Sequence, residues 1–387
     1  MDLPHTKIAL DLSCAAEFPV TGVGYAAIYQ VQALLRRNVD FQCQVFATGD
    51  SRGKALLRNE LPEIERQFVL PYARLLKYGF WTRLSWPPIE WFIGKVDIAH
   101  NLCHQTPAAR RAVRAVTIHD LSFLRVPETH TERTVEVQTR LLSQCAREAD
   151  TLIAVSEHCK AELVELMGVA PERIHVVPNG VRLEEFDAPF DETTHAALKA
   201  RIGLDRDYFI QLGTLEPRKN IERLIQAYDR VRSEREMIPQ LLLVGALGWK
   251  SDGIVEAIRA ASGNGDIVHA GYLRRDEAIL LLRGARACLY PSLYEGFGLP
   301  VLEAMAAGTP VMTSKVSALP EVVGETGLLV DPYDTESMAS AICSLLDDPP
   351  AARQRAEAAR LRAQSMTWEE SAARLERVYR QLMHDAA

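Results

Sequence analysis

Short apolar runs alternate with longer stretches in which apolar residues recur every three or four positions, the pattern of a parallel sheet covered by helices. "KIALDLS" (7–13) reads as a strand, and "TGVGYAAIYQVQALLRRN" supplies a glycine-containing turn and then a helix. "FQCQVFA" (41–47), "VDIAHN" (96–101), "AVRAVTIHD" (112–120), "TLIAVS" (151–156) and "ERIHVVPNGV" (172–181) read as further strands. The Pro-Asn-Gly turn and the polar "RLEEFDAPFDETTHA" after it carry little core pattern, which sets a domain boundary at residues 180/181. The alternation resumes with "YFIQLGT" (208–214), a helix over 220–234, "QLLLVGA" (240–246), "DIVHAGY" (266–272), "ACLYPS" (287–292), "TPVMTS" (309–314) and "TGLLVDP" (326–332). The pattern predicts an α/β chain of two Rossmann-like domains, 1–180 and 181–367, with no short-period repeat.

Length supports two domains, since 387 residues exceed one ordinary hydrophobic core. With 48% hydrophobic and 25% charged residues the composition is that of a globular protein, and a net charge of -7 argues against nucleic acid as a partner. The acidity sits in the second half: residues 1–180 balance their charges, and the rest carry 24 basic against 31 acidic residues. Seven cysteines without CxxC spacing, no segment like a signal peptide and no apolar run of the roughly 20 residues that cross a bilayer predict a reduced, cytoplasmic protein.

In open parallel sheets ligands bind beyond the carboxyl ends of the strands, and four clusters fall there. In "YEGFGLPVLEAMAAGTPV" (294–311), Glu295 and Glu303 flank a turn-prone run, and Pro300 suits the first turn of a helix reaching Ala307. That helix start offers N–H donors to an anion, and Gly298 leaves room for a phosphate. In "GTLEPRKN" (213–220), Arg218 and Lys219 stand just ahead of a helix, two cations able to neutralise a diphosphate with no metal. "TIHD" delivers His119 and Asp120 to a strand end, and Gly22 and Gly24 open the first strand-to-helix turn without the third glycine of a dinucleotide fingerprint. Each also has a plainer reading: a dipole-complementing Glu303, a solvated Arg-Lys turn, a structural histidine.

Together these stretches resemble the retaining glycosyltransferases of family 4, also called glycosyltransferase group 1, whose GT-B fold sets two Rossmann-like domains with parallel sheets facing across a cleft. Glu295 and Glu303 match that family's E-x7-E motif. The similarity extends through "AVSEHCKAEL", "VVPNGV" and "GLLVDP" to "MTWEESAARLERVYR" (366–380), similar to a tail that crosses back, so 368–387 is expected on the first domain. The resemblance implies that Glu303 grips the ribose of a nucleotide-diphosphate sugar, Glu295 contacts the sugar, Arg218 and Lys219 stabilise the leaving diphosphate, and His119 sits by the transferred sugar. Its donor-binding set comprises Gly22, Gly24, Gly213, Thr214, Tyr272, Leu273, Gly298, Leu299 and Glu303. Many relatives carry Arg where this chain has Thr214, which leaves more of the phosphate work to Arg218 and Lys219. Neither cofactor nor metal is expected, and no residue offers itself as a covalent nucleophile.

Within the family, "GTLEPRKN" and "TIHDLSF" are most similar to bacterial mannosyltransferases of surface polysaccharide synthesis. GDP-mannose is therefore the leading donor, with UDP- and dTDP-linked sugars as alternatives and a glycan or lipid-linked molecule as acceptor. Residues 52–95 carry eight basic and four acidic residues with Trp81, Trp86 and Trp91. That mixture suits peripheral association with the inner membrane surface, although tryptophans in a buried core or lining a soluble acceptor pocket are the slightly favoured reading. The fold also hosts nucleotide-sugar 2-epimerases, phosphorylases and binding modules; a phosphorylase would need a lysine for pyridoxal phosphate and a longer chain.

Overall fold

The computed structural model describes residues 6–16, 20–37, 40–71, 86–106, 108–261 and 265–385. Their strands form a seven-stranded and a six-stranded sheet, all parallel. The first contains β1 (Thr6–Asp11), β2 (Phe41–Gly49), β3 (Gln67–Pro71), β4 (Ile98–Asn101), β5 (Val113–Ile118), β6 (Thr151–Ala154) and β7 (Ile174–Val176), in the order β3-β2-β1-β4-β5-β6-β7. The second contains β8 (Tyr208–Leu212), β9 (Gln240–Val244), β10 (Ile267–Gly271), β11 (Ala287–Tyr290), β12 (Val311–Ser314) and β13 (Leu328–Val330), in the order β10-β9-β8-β11-β12-β13. Each order reverses beside its first strand, so a crevice is expected where β1 meets β4 and again where β8 meets β11. Central strands such as β8 and β9 are buried at every position, which is why they read as unbroken apolar runs.

The fold class is the α/β architecture that the sequence predicts. Two details differ. Most strands stop about two residues short of the apolar runs, because residues such as Gly213, His119 and Pro291 already belong to loops. β3 was not anticipated: it is an edge strand, half-buried over most of its length and ending on Pro71, so it lacks the apolar density of its neighbours.

Contacts divide the chain into two compact units, one of residues 1–121, 136–180 and 368–387 and the other of 122–135 and 181–367. Segment 122–135 is tied to the second unit by Trp249, whose indole donates to the Thr129 carbonyl at 2.8 Å, and by Lys250, whose ammonium donates to the Glu128 carbonyl at 2.9 Å. The helix Trp368–Asp385 completes the first unit. Gln30 donates to Ser371 at 3.1 Å, and the fully buried Tyr379 meets His100 Nδ1 at 2.6 Å. Among the described residues no helix is long and apolar enough to cross a membrane.

Candidate functional site

The second sheet's switch point is built by a chain of local constraints. Gly213, just after β8, takes φ +122, and Gly245, just after β9, takes φ +149, so close that a Cβ on it would clash with the Gly213 carbonyl oxygen. Pro217–Lys219 then form a 3-10 turn, and Asn220, in the left-handed region at φ 61, donates to the Pro291 and Pro332 carbonyls at 3.0 and 2.6 Å. This buried amide fixes the turn against the loop after β11 and sends Arg218 and Lys219 back toward Glu295.

Arg218 donates to Glu295 Oε2 at 3.0 Å, to Glu216 Oε1 at 2.7 Å and to the Tyr294 carbonyl at 2.9 Å. Lys219 donates to Glu295 Oε1 and to the Tyr290 hydroxyl, both at 2.7 Å, and that hydroxyl donates on to Glu295 Oε1 at 3.0 Å. The Lys219 ammonium also lies 5.1 Å from the centroid of the Tyr290 ring. Glu216, Lys219, Tyr290 and Glu295 are all buried. Burial would raise the Glu295 carboxyl, but Arg218 and Lys219 outweigh it and hold the carboxyl at about 2. The same burial, with Arg218 alongside, lowers Lys219, while Glu295 and Glu216 support its charge. The Tyr290 phenol is pushed well above its ordinary range, so it stays a neutral hydroxyl between a cation and an anion. Two cations and two carboxylates thus balance in a buried, mutually hydrogen-bonded cluster.

The helix Leu299–Ala307 begins where the sequence places it, with Gly298 at φ 106 and Pro in its first turn. At Gly298 a Cβ would stand 2.8 Å from Leu319 Cδ2, so the close approach at this position is to a side chain of the protein itself. Leu299 is half-buried. Glu303, one turn in, accepts from Arg275 at 2.8 Å; Arg275 also holds Glu185. On the loop after β10, Tyr272 is 74% exposed and Leu273 half-buried. Thr214 is exposed beyond β8. The structure therefore gathers Arg218, Lys219 and Glu295, with Gly213 beneath Lys219, and gives Glu303 a separate partner. A cavity of about 740 Å³ lies between the helices Glu192–Ile202 and Arg275–Gly284, and Arg218, Lys219 and Glu295 do not line it.

In the first unit, β5 delivers His119, whose backbone N–H donates to His104 Nε2 at 2.6 Å and whose own Nε2 meets the Leu102 carbonyl at 2.8 Å. A carbonyl only accepts, so His119 carries its proton on Nε2 and keeps a lone pair on Nδ1. Burial, then His104, lowers His119 to about 4, leaving it neutral at pH 7. A Cβ on Gly24 would stand 2.8 Å from the Cys14 carbonyl oxygen, so the close approach there is to the chain's own backbone; one on Gly22 would meet nothing within 4 Å. Trp81 lies outside the described residues, while Trp86 and Trp91 are 41% and 67% exposed, with ring centroids 5.7 Å apart. Among the described residues no group of three or more His, Cys, Asp or Glu could hold a metal.

Glu216, Tyr290, Asn220 and Arg275 were not singled out from sequence. Tyr290 carried a signal, a polar tip closing an otherwise apolar strand. Asn220 looked like an ordinary residue before a helix, and Arg275 like surface charge in "LRRDEA".

Residues 20–185 match the family described as Glycosyltransferase Family 4, and residues 196–362 the one described as Glycosyl transferases group 1. The O-antigen chain mannosyltransferase B of Escherichia coli is 35% identical over 239 residues, 62% of this chain and 62% of that protein. The MMP alpha-(1->4)-mannosyltransferase of Mycolicibacterium hassiacum is 36% identical over 251 residues, 63% of this chain and 56% of that protein. The match thus spans less than two thirds of either relative. In structure the chain is similar to Anabaena HepE in complex with UDP-glucose, with a TM-score of 0.73 at 19% identity, covering 97% of this chain and 100% of that one.

Proposed function

The chain belongs to the group 1 glycosyltransferases of family 4, and from that premise we propose that it is a retaining, metal-independent hexosyltransferase, moving mannose from GDP-mannose to a glycan or lipid-linked acceptor. The buried cluster of Arg218, Lys219, Glu216 and Glu295 carries the reading. Breaking an anomeric bond to a diphosphate leaves negative charge on the leaving group and an oxocarbenium-like sugar. Cations already fixed by hydrogen bonds stabilise that charge without reorganising as it develops. Glu216 and Glu295 keep the two cations apart and oriented; Glu303 takes the ribose hydroxyls; the neutral His119 offers the Nδ1 lone pair to a hydroxyl of the transferred sugar. Mannose is favoured by the likeness to the two mannosyltransferases, and UDP- or dTDP-sugars are the alternative donors. The exposed Trp86–Trp91 pair supports an acceptor side resting on the cytoplasmic membrane face.

The test is a panel of nucleotide sugars read by thermal shift, followed by hydrolysis and transfer assays with and without EDTA. GDP-mannose is expected to give the largest shift, and transfer is expected to survive the chelator. Activity lost to EDTA and restored by magnesium would overturn the charge assignment, and conversion to an altered nucleotide sugar with no acceptor present would make the protein an epimerase.

A further inference from the structure

Arg275 stands at the first position of the helix Arg275–Gly284, where the helix dipole disfavours a cation. Two carboxylates from distant parts of the second unit hold it there. Nη1 donates to Glu303 Oε1 at 2.8 Å, while Nε and Nη2 donate to Glu185 Oε2 at 2.8 and 2.5 Å. The side chains of Arg275, Glu185 and Glu303 are 38%, 18% and 22% exposed. Ion pairs this open to water add little net stability, so what the arrangement supplies is orientation. A guanidinium is planar, and anchoring one edge on Glu185 fixes the direction in which the remaining N–H groups point.

We propose that Arg275 is a positioning residue for the ribose of the donor, holding Glu303 Oε1 so that the remaining lone pairs of the carboxylate are presented to a vicinal diol. This rests on the reading of Glu303 given above and names the part of the chain that aims it. A carboxylate has two oxygens and about four acceptor directions. Unrestrained, it must lose rotamer freedom when a diol binds; held by Arg275, it has already lost it. Arg275 bears on the nucleoside and leaves the diphosphate and the transferred sugar to other groups.

Calorimetry with GDP and UDP, each beside its 2′-deoxy counterpart, tests this in wild type, Arg275→Gln and Arg275→Lys, with thermal melts reporting the fold. Wild type is expected to prefer the ribonucleotide by about tenfold, the loss of one hydrogen bond to a charged group. Arg275→Gln is expected to bind the two forms within about threefold of one another, with kcat at saturating donor little changed and KM raised, and Arg275→Lys to retain part of the preference. A folded Arg275→Gln protein that keeps the wild-type preference overturns the proposal and leaves the Glu303 reading intact. A wild type with no such preference overturns the Glu303 reading itself.

Discussion

Replacing Tyr290 with Phe removes one hydroxyl from the end of β11 and leaves the shape of a fully buried side chain almost unchanged. Lys219 then loses one of its two acceptors and Glu295 one of its donors, and all three residues are buried. A hydrogen bond to a charged group contributes about 1.5–3 kcal/mol, so kcat/KM for transfer should fall about tenfold or more with the fold retained; steady-state kinetics with unchanged kcat/KM would remove Tyr290 from the machinery. Glu303→Ala should weaken donor binding by about 1.5–3 kcal/mol, measured by calorimetry, since hydrogen bonds to a charged group are lost. The two substitutions separate the ends of the donor: the first should act on the chemical step, the second on affinity.

At the scale of elements, the loops after β8 and β9 are held so close that one residue decides both. Gly245 combines φ +149 with a Cβ position that would clash with the Gly213 oxygen. Gly245→Ala should therefore cost about 2–4 kcal/mol in stability by denaturant titration, from strained backbone and a clash that neither strand can relieve. Gly22→Ala, with nothing within 4 Å of its Cβ, is the contrast and should change stability little. These constraints explain how much could be read from the chain alone. Strands, helix starts and the Arg218–Lys219 and Glu295–Glu303 pairs are marked by local pattern, because periodicity and loop position are properties of neighbouring residues. Tyr290 between Lys219 and Glu295, and Arg275 between Glu185 and Glu303, are meetings of residues up to 90 positions apart. No local pattern encodes them. The edge strand β3 escaped for the opposite reason, having too little burial to imprint a pattern.

For the whole molecule, acid should act in one direction. His100 and His119 ordinarily titrate near 6.5; burial first, then a neighbouring histidine, lowers them to about 3 and about 4. Between those values and 6.5 the unfolded chain binds protons that the folded chain refuses, so stability falls as pH drops through that window. Glu295 adds to the fall lower down: held at about 2 against an ordinary 4.5, its contribution is complete above 4.5 and is lost as pH approaches 2. Urea midpoints at pH 7, 6, 5 and 4 should decline steadily, and a flat profile from 7 to 4 would mean that these histidines titrate freely in the folded state.

The discontinuity of the first unit has a consequence on the ribosome. Chains emerge from their N-terminus at about 5–20 residues per second, and domains ordinarily fold as they appear. Here His100 waits for the hydroxyl of Tyr379, 279 residues later in translation, and Gln30 waits 341 residues for Ser371. Every strand of both sheets has been synthesised before the helix Trp368–Asp385 is made. The half of the protein synthesised first is thus the half finished last, and for most of translation its docking face for that helix stays open to chaperones and to other nascent chains.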